Sequence, residues 1–409
     1  MKKFFVITSA IFFYLIYGLY LAQYDVAILP ENLKAENPRG FLDYRGITNV
    51  RPGNLNDVID AAQSAGLDFL SVTDLNVFDK PTSLAGYHGN VLVMMDGEYS
   101  YLNSRLLNIG ATTTRHLQGV GQSQVLFADL LSQAHRDPDL GVFVLARPTN
   151  PRYKWTGEYP PGLDGLEVIN LKDVWQESWT HQRWSFLWSL FVFPFHENLS
   201  LLRLFETPEE QTQLWDELAQ RRHTIGIAGA GAEGKMRFPT YETLFSLVRD
   251  HVLLRSEFTG NTSSDLEKLS TAIRQGQFYM SLDILGNPKG FNALVKGKEG
   301  EIYPMGSELK YKDGLTLEVT LPQKPKVPFD TVIYKNGEKM MTSNSQVTEY
   351  FINSPGVYRV LVRVIPTLPL PDGKKWIPWI YTNNFYISEG SVTKAGSGTR
   401  TTKPAKGGN

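Results

Sequence analysis

The chain has 409 residues, of which 42% are hydrophobic, 12% aromatic and 20% charged; this suffices for roughly two to three domains with buried cores and excludes a disordered or multi-span membrane protein. The 41 Lys and Arg residues nearly balance 42 Asp and Glu residues, for a formal net charge of −1, which excludes the basic footprint of a dedicated nucleic-acid binder. The absence of cysteine removes disulfides, zinc ribbons, iron–sulfur clusters and thiol nucleophiles, leaving chemistry by His, carboxylate, Ser or Lys.

Lys2 and Lys3 precede an uncharged run from Phe4 to Gln23. As a helix rising about 1.5 Å per residue, the run spans about 30 Å, the thickness of a bilayer's hydrocarbon core. It predicts a transmembrane anchor over residues 1–24, with the Lys pair held on the cytoplasmic side. A cleaved signal peptide is the competing reading, although the residues around Leu21-Ala22-Gln23 lack a good A-x-A site. Both readings put the bulk of the chain outside the cytoplasm, on the periplasmic face of the inner membrane in a bacterium.

Residues 25–39, with Pro30 and Pro38, read as a linker. Over residues 40–286, strand-like runs (Leu67–Thr73, Val91–Met95, Gly141–Ala146, Leu166–Leu171, Thr224–Ala228) alternate with helix-like ones (Leu55–Ser64, Val125–Ala134, Pro208–Arg221), predicting an α/β unit with parallel strands and a barrel of modified count. An aromatic insertion from Trp175 to Phe205 reads as a ligand groove, a membrane-surface segment near the anchor, or a helical hairpin packed on the barrel. Residues 287–390 change to short alternating runs with turn signals such as Asn336-Gly337, predicting an antiparallel β-sandwich. Residues 391–409 carry no acid and read as a disordered basic tail.

Several motifs stand in an order that resembles the PHP family, the polymerase and histidinol phosphatase group of metal-dependent phosphoesterases. They are Asp43-Tyr44-Arg45-Gly46, then Ala62-Gln63-Ser64-Ala65-Gly66-Leu67-Asp68, Thr73-Asp74-Leu75, and Glu98 within Asp96-Gly97-Glu98-Tyr99-Ser100. Leu145-Ala146-Arg147-Pro148, Gly165-Leu166-Glu167-Val168-Ile169-Asn170 and Gly229-Ala230-Gly231-Ala232-Glu233 continue the series. Ala272 to Tyr279, Gly356 to Val360 and Pro378 to Asn384 resemble exported members with a carboxy-terminal β-sandwich, similar to carbaryl-type metallohydrolases. The resemblance covers about residues 40–388 and implies a distorted (β/α)7 barrel followed by a small antiparallel β-sandwich.

The family holds two or three divalent metals on His, Asp and Glu, and this chain departs at most of those positions. The first His pair is Asp43 and Arg45, the His of T-D-H is Leu75, that of A-H-P is Arg147, and the D-A-H pair is Gly231 and Glu233, so only Asp74 and Glu98 match. None of the seven His residues falls at a ligand position. Arg45 and Arg147 are therefore expected to replace the metal as fixed cations beside Asp74 and Glu98 and to meet an anionic group. The six charged positions, Asp43, Arg45, Asp74, Glu98, Arg147 and Glu233, sum to a formal −2, which leaves open one divalent metal on Asp43, Asp74, Glu98 and Glu233. Three readings follow: a catalytically inactive module that binds an anionic small molecule or an envelope protein, without cofactor; a hydrolase with a rebuilt, carboxylate-rich site; and a structural envelope protein. The glycine-rich Gly226 to Ala232 reads as the end of a barrel strand and not as a nucleotide fingerprint.

Overall fold

In a computed structural model of the chain, the residues described are 2–30, 40–77, 82–111, 119–232, 239–366, 368–369 and 373–389; the predicted tail, Glu233 and the second half of the linker lie outside them. Helix α1 (Lys2–Ala22) is the apolar run, long and apolar enough to cross a membrane, a test that a signal sequence also passes. The segment after it is docked: Val26, Ile28 and Leu29 are buried, the Ile28 N–H donates to the Leu285 carbonyl (2.7 Å), and the Ile28 carbonyl accepts from the Lys326 N–H (2.8 Å).

Local signals set the elements that follow. Strand β1 (Leu42–Val50) ends before the turn residues Pro52-Gly53. Helix α2 (Leu55–Ser64) starts at Asn54, whose side chain accepts from the Asn56 N–H, and buries Val58, Ile59, Ala61 and Ala62. Gly66, at φ +67°, then turns the chain into β2 (Phe69–Leu75). Strand β3 (Gly86–His88) pairs with β4 (Val91–Tyr101), which turns back directly into β5 (Ser104–Ile109). Helix α3 (Val120–Ser132) leads to β6 (Val142–Ala146), and β7 (Gly165–Asn170) follows without a helix between them. The aromatic insertion is helical, comprising α4 (Leu171–His181), α5 (Arg183–Val192) and α6 (Glu197–Leu202). Then come α7 (Glu209–Ala219), β8 (Ile225–Ala232), α8 (Tyr241–Leu247), β9 (Arg249–Leu254), α9 (Thr262–Arg274) and β10 (Phe278–Ser281).

These strands close a seven-stranded mixed barrel in the order β1-β2-β4-β5-β6-β7-β8, with β8 returning to β1. The expected (β/α)7 barrel is therefore corrected. Strand β5 runs antiparallel to both β4 and β6, so a hairpin replaces one crossover helix, and the β6–β7 connection has none. Phe69, Leu92, Met94, Leu107, Val144, Ile225 and Ile227 cluster with Leu269 and Ile273 of α9, a packed core beneath the carboxyl ends of the parallel strands.

Strand β1 has three partners. Its first half pairs antiparallel with β9 (Leu42 opposite Leu254), and its last residues pair with β8 (Thr48 opposite Gly229), with a bulge between Thr48 and Val50. Through β9 and β10 the barrel sheet continues into the second unit, a β-sandwich. Its strands are β11 (Asn292–Lys296), β12 (Ile302–Pro304), β13 (Glu308–Lys310), β14 (Thr316–Thr320), β15 (Phe329–Lys335), β16 (Glu338–Ser343), β17 (Val347–Phe351), β18 (Gly356–Val364), β19 (Ile377–Thr382) and β20 (Phe385–Ser388). One layer is β12-β11-β14-β17; the other continues from β10 through β19, β18 and β15. Polar bolts hold the two units together. Arg359 on β18 meets Asp216 on α7 with two bonds (2.7 and 2.6 Å), and the buried Asn383 side chain accepts from the Gly226 N–H (2.8 Å) and donates to the Phe278 carbonyl (3.1 Å).

Candidate functional site

The carboxyl ends of β1, β2, β4, β6 and β7 converge on a cluster of charged and amide side chains. At its centre Glu167 on β7 is buried; its Oε1 accepts from Asn49 Nδ2 (2.9 Å) and its Oε2 from the Arg147 backbone N–H (3.1 Å). Asn49 Oδ1 in turn accepts from the Thr73 hydroxyl (3.1 Å). Two glycines of β8 make room for this arrangement. A Cβ at Gly229 would stand 1.9 Å from Glu167 Oε1, and one at Gly231, where φ is +55°, would stand 2.7 Å from Asn170 Oδ1. Burial pushes the Glu167 carboxyl up to about 7, against the lowering effect of the Asn49 bond.

Two guanidinium–carboxylate pairs flank Glu167. Arg51, just past β1, places Nη2 2.5 Å and Nε 3.1 Å from Oε2 of the buried Glu98. Arg147, just past β6, donates from Nε (2.7 Å) and Nη2 to Oδ1 of Asp173 in the first turn of α4, and from Nη2 to Gln176 Oε1 (2.6 Å). Asn150 adds a third donor to the same Asp173 oxygen (2.8 Å). The Arg147 and Arg105 guanidiniums lie 4.9 and 5.0 Å from the Tyr153 ring centroid. Asn49 (φ +54°) and Arg147 (φ +53°) are both left-handed, a conformation that costs an L-residue such as Arg about 1–2 kcal/mol. Both residues bond Glu167, Asn49 through its side chain and Arg147 through its backbone N–H.

Of the positions expected from sequence, Asp74, Glu98 and Arg147 reach this mouth. Asp74 lies opposite Gly97 at the end of β2; burial raises its carboxyl above the usual range, partly offset by Arg51. Asp43 and Arg45 do not reach it. They lie four to six residues earlier on β1, roughly 13–20 Å from Asn49 at about 3.3 Å per residue. The Arg45 backbone N–H donates to Asp68 (2.8 Å), and its guanidinium lines a small hollow with Gln63 and Asp68. Asp43 belongs to a buried structural cluster, accepting from the Tyr279 hydroxyl (2.7 Å) and pairing with His251 Nδ1 (2.9 Å), while His251 Nε2 faces Asp283 (3.0 Å). Glu233 lies outside the described residues. Asp43 and Arg45 thus stand at the other end of their strand from the mouth that Asp74, Glu98 and Arg147 reach.

Sequence reading missed Asn49, Arg51 and Asp173. Asn49-Val50-Arg51 has the same one-residue spacing as Asp43-Tyr44-Arg45, and the Pro52-Gly53 turn after it marks the true strand end. The donors do not fit a divalent cluster. Glu98 is held by Arg51, Asp173 by Arg147 and Asn150, and both Glu167 oxygens are in use; among the described residues no three His, Asp or Glu side chains converge on a metal position. Comparison with protein-family models gives no match, and comparison with curated protein sequences gives none.

Proposed function

We propose that this chain is a membrane-anchored, extracytoplasmic binding module, a catalytically silent relative of the metal-dependent phosphoesterases its motifs resemble. The observation that carries the reading is the pairing of two mouth acids, Glu98 and Asp173, with Arg51 and Arg147. A guanidinium neutralises a buried carboxylate as a metal would, yet it neither binds nor activates a hydrolytic water. An anionic ligand meeting Arg51 or Arg147 would have to displace Glu98 or Asp173 from its guanidinium. The arrangement therefore favours a small polar ligand read by hydrogen bonds over one held by net charge.

The test is hydrolysis of p-nitrophenyl phosphate and bis(p-nitrophenyl) phosphate by the full chain with Mn²⁺, Zn²⁺ or Mg²⁺. The expected result is no metal-stimulated rate above the protein-free control. A metal-dependent rate abolished by Glu98→Gln would overturn the proposal.

A further inference from the structure

The strongest unexplained surface is the outer face of α5. The run from Trp184 to Phe195 carries no charge, and Trp184 is 86% exposed, with Leu187, Leu190 and Phe191 also exposed. The other face of the helix is accounted for: Ser189 and Val192 are buried, and the Ser189 carbonyl accepts from the Ser200 hydroxyl of α6 (2.6 Å). A contiguous apolar patch of this kind on a soluble surface marks an interaction site.

What covers it follows from what α5 touches. Tyr14 of α1 packs its ring 4.1 Å from Phe191 and 4.7 Å from Phe195, and its hydroxyl donates to the Phe191 carbonyl (3.0 Å); Tyr17 lies 5.9 Å from Trp188. At Gly18 the approach is closer than a side chain permits, since a Cβ there would stand 2.2 Å from the Phe195 ring. Tyr14 is eight residues before the end of α1, so Phe191 lies about 12 Å along the axis from the point where α1 ends. Where α1 crosses a bilayer of about 30 Å, that depth is well inside one leaflet. The connection does not let α5 swing clear. His196 Nδ1 accepts from the Leu199 N–H (3.1 Å), which leaves Nε2 to donate to the Tyr24 carbonyl (2.7 Å), and Ile28 is bonded into the body of the protein. Trp179, half exposed, lies beneath the Arg183 guanidinium (5.9 Å), the aromatic and cationic pairing found at the headgroup level.

We propose that α5 and the turn from Phe193 to Phe195 form a second membrane contact, immersed in the leaflet from which α1 emerges, so that the barrel is seated on the lipid surface. The proposal rests on the reading of α1 as a spanning helix, and the experiment separates the two. Because the chain has no cysteine, single labels are available at Leu187→Cys on α5, Phe12→Cys on α1 and Phe351→Cys on the distant β17, all exposed positions. Each full-length variant is labelled with an environment-sensitive fluorophore and reconstituted into phosphatidylcholine–phosphatidylglycerol vesicles carrying acyl-chain nitroxides. The label at 187 is expected to be quenched at least about half as strongly as that at 12, with 351 unquenched. Quenching at 12 with none at 187 would overturn the second contact and leave the anchor standing, whereas quenching at neither would overturn both. Shielding at 187 that grows with protein-to-lipid ratio, without nitroxide quenching, would assign the face to a second copy of the chain and overturn the proposal.

Discussion

His251→Ala is expected to destabilise the protein by about 3–5 kcal/mol, the cost of leaving buried carboxylates without their cation. His251 is fully buried, stacked on Tyr279 (4.6 Å between centroids) and set between Asp43 and Asp283. Burial alone would lower its basicity, but the two carboxylates outweigh it and hold the imidazole at about 9, so it is a cation at neutral pH. Asp283 is correspondingly held below the usual carboxylate range: burial acts to raise it, and His251 and Arg249 prevail. Because the folded value lies above the ordinary 6.5, folding retains a proton that the unfolded chain releases between those two values. The contribution is complete below pH 6.5 and declines as pH rises to about 9, a loss of about 3 kcal/mol. Denaturant midpoints should fall with pH from 6.5 to 9 in the wild type and, in the variant, level off above about pH 8, once the buried Glu167 carboxyl has titrated. Parallel curves would show that the imidazole is not charged in the folded state.

Glu167→Gln is expected to act in the opposite direction, stabilising the protein above neutral pH by up to about 3 kcal/mol. The folded carboxyl sits at about 7 against an ordinary value of 4.5, so the folded state holds a proton the unfolded state has lost, and stability falls as pH rises through that interval. Glutamine removes the charge and keeps the shape. Its oxygen can still accept from the Arg147 N–H, and its amide can donate to Asn49 once the Asn49 side chain turns over. The wild type should therefore lose stability in two successive steps, the lower one absent in Glu167→Gln and the upper one absent in His251→Ala. A Gln variant less stable than wild type at pH 8, about one unit above the folded value, would show that the ionised carboxylate is a net asset of the mouth.

Much of the architecture can be read from local signals, and the exceptions have identifiable causes. Helices α2, α3 and α7, strands β2, β6 and β8 and the change to a β-sandwich follow from periodicity and turn residues. The reversed strand β5 does not, because its hairpin turns at Leu102, which adopts φ +50°, a conformation normally signalled by Gly or Asn. Without that turn, only Val91–Met95 reads as a strand in this region and the barrel reads as parallel. The site was half legible. Asp74, Glu98 and Arg147 come from the motif resemblance and lie on or just past strands that lead to the mouth, but β1 spans nine residues and offers two places for the first motif. Its amino-terminal half supplies the buried Asp43–His251 cluster, and its carboxyl-terminal end supplies Asn49 and Arg51 to the mouth. Asp173 is visible only once α4 begins at Asn170, whose side chain accepts from the Asp173 N–H (3.1 Å) and aims the first turn at Arg147.

If Arg51 and Arg147 occupy the electrostatic role of a divalent cluster, the protein should bind no metal at the mouth, and its metal content decides the matter. The full chain, purified without chelator and incubated with Mn²⁺, Zn²⁺, Mg²⁺ or Ca²⁺, would be measured by plasma mass spectrometry after removal of free ions. The expected content is less than about a tenth of an equivalent of any metal per chain; about one equivalent or more, lost on replacing Asp74 or Glu98 by Ala, would mean that the guanidiniums do not stand in for metal.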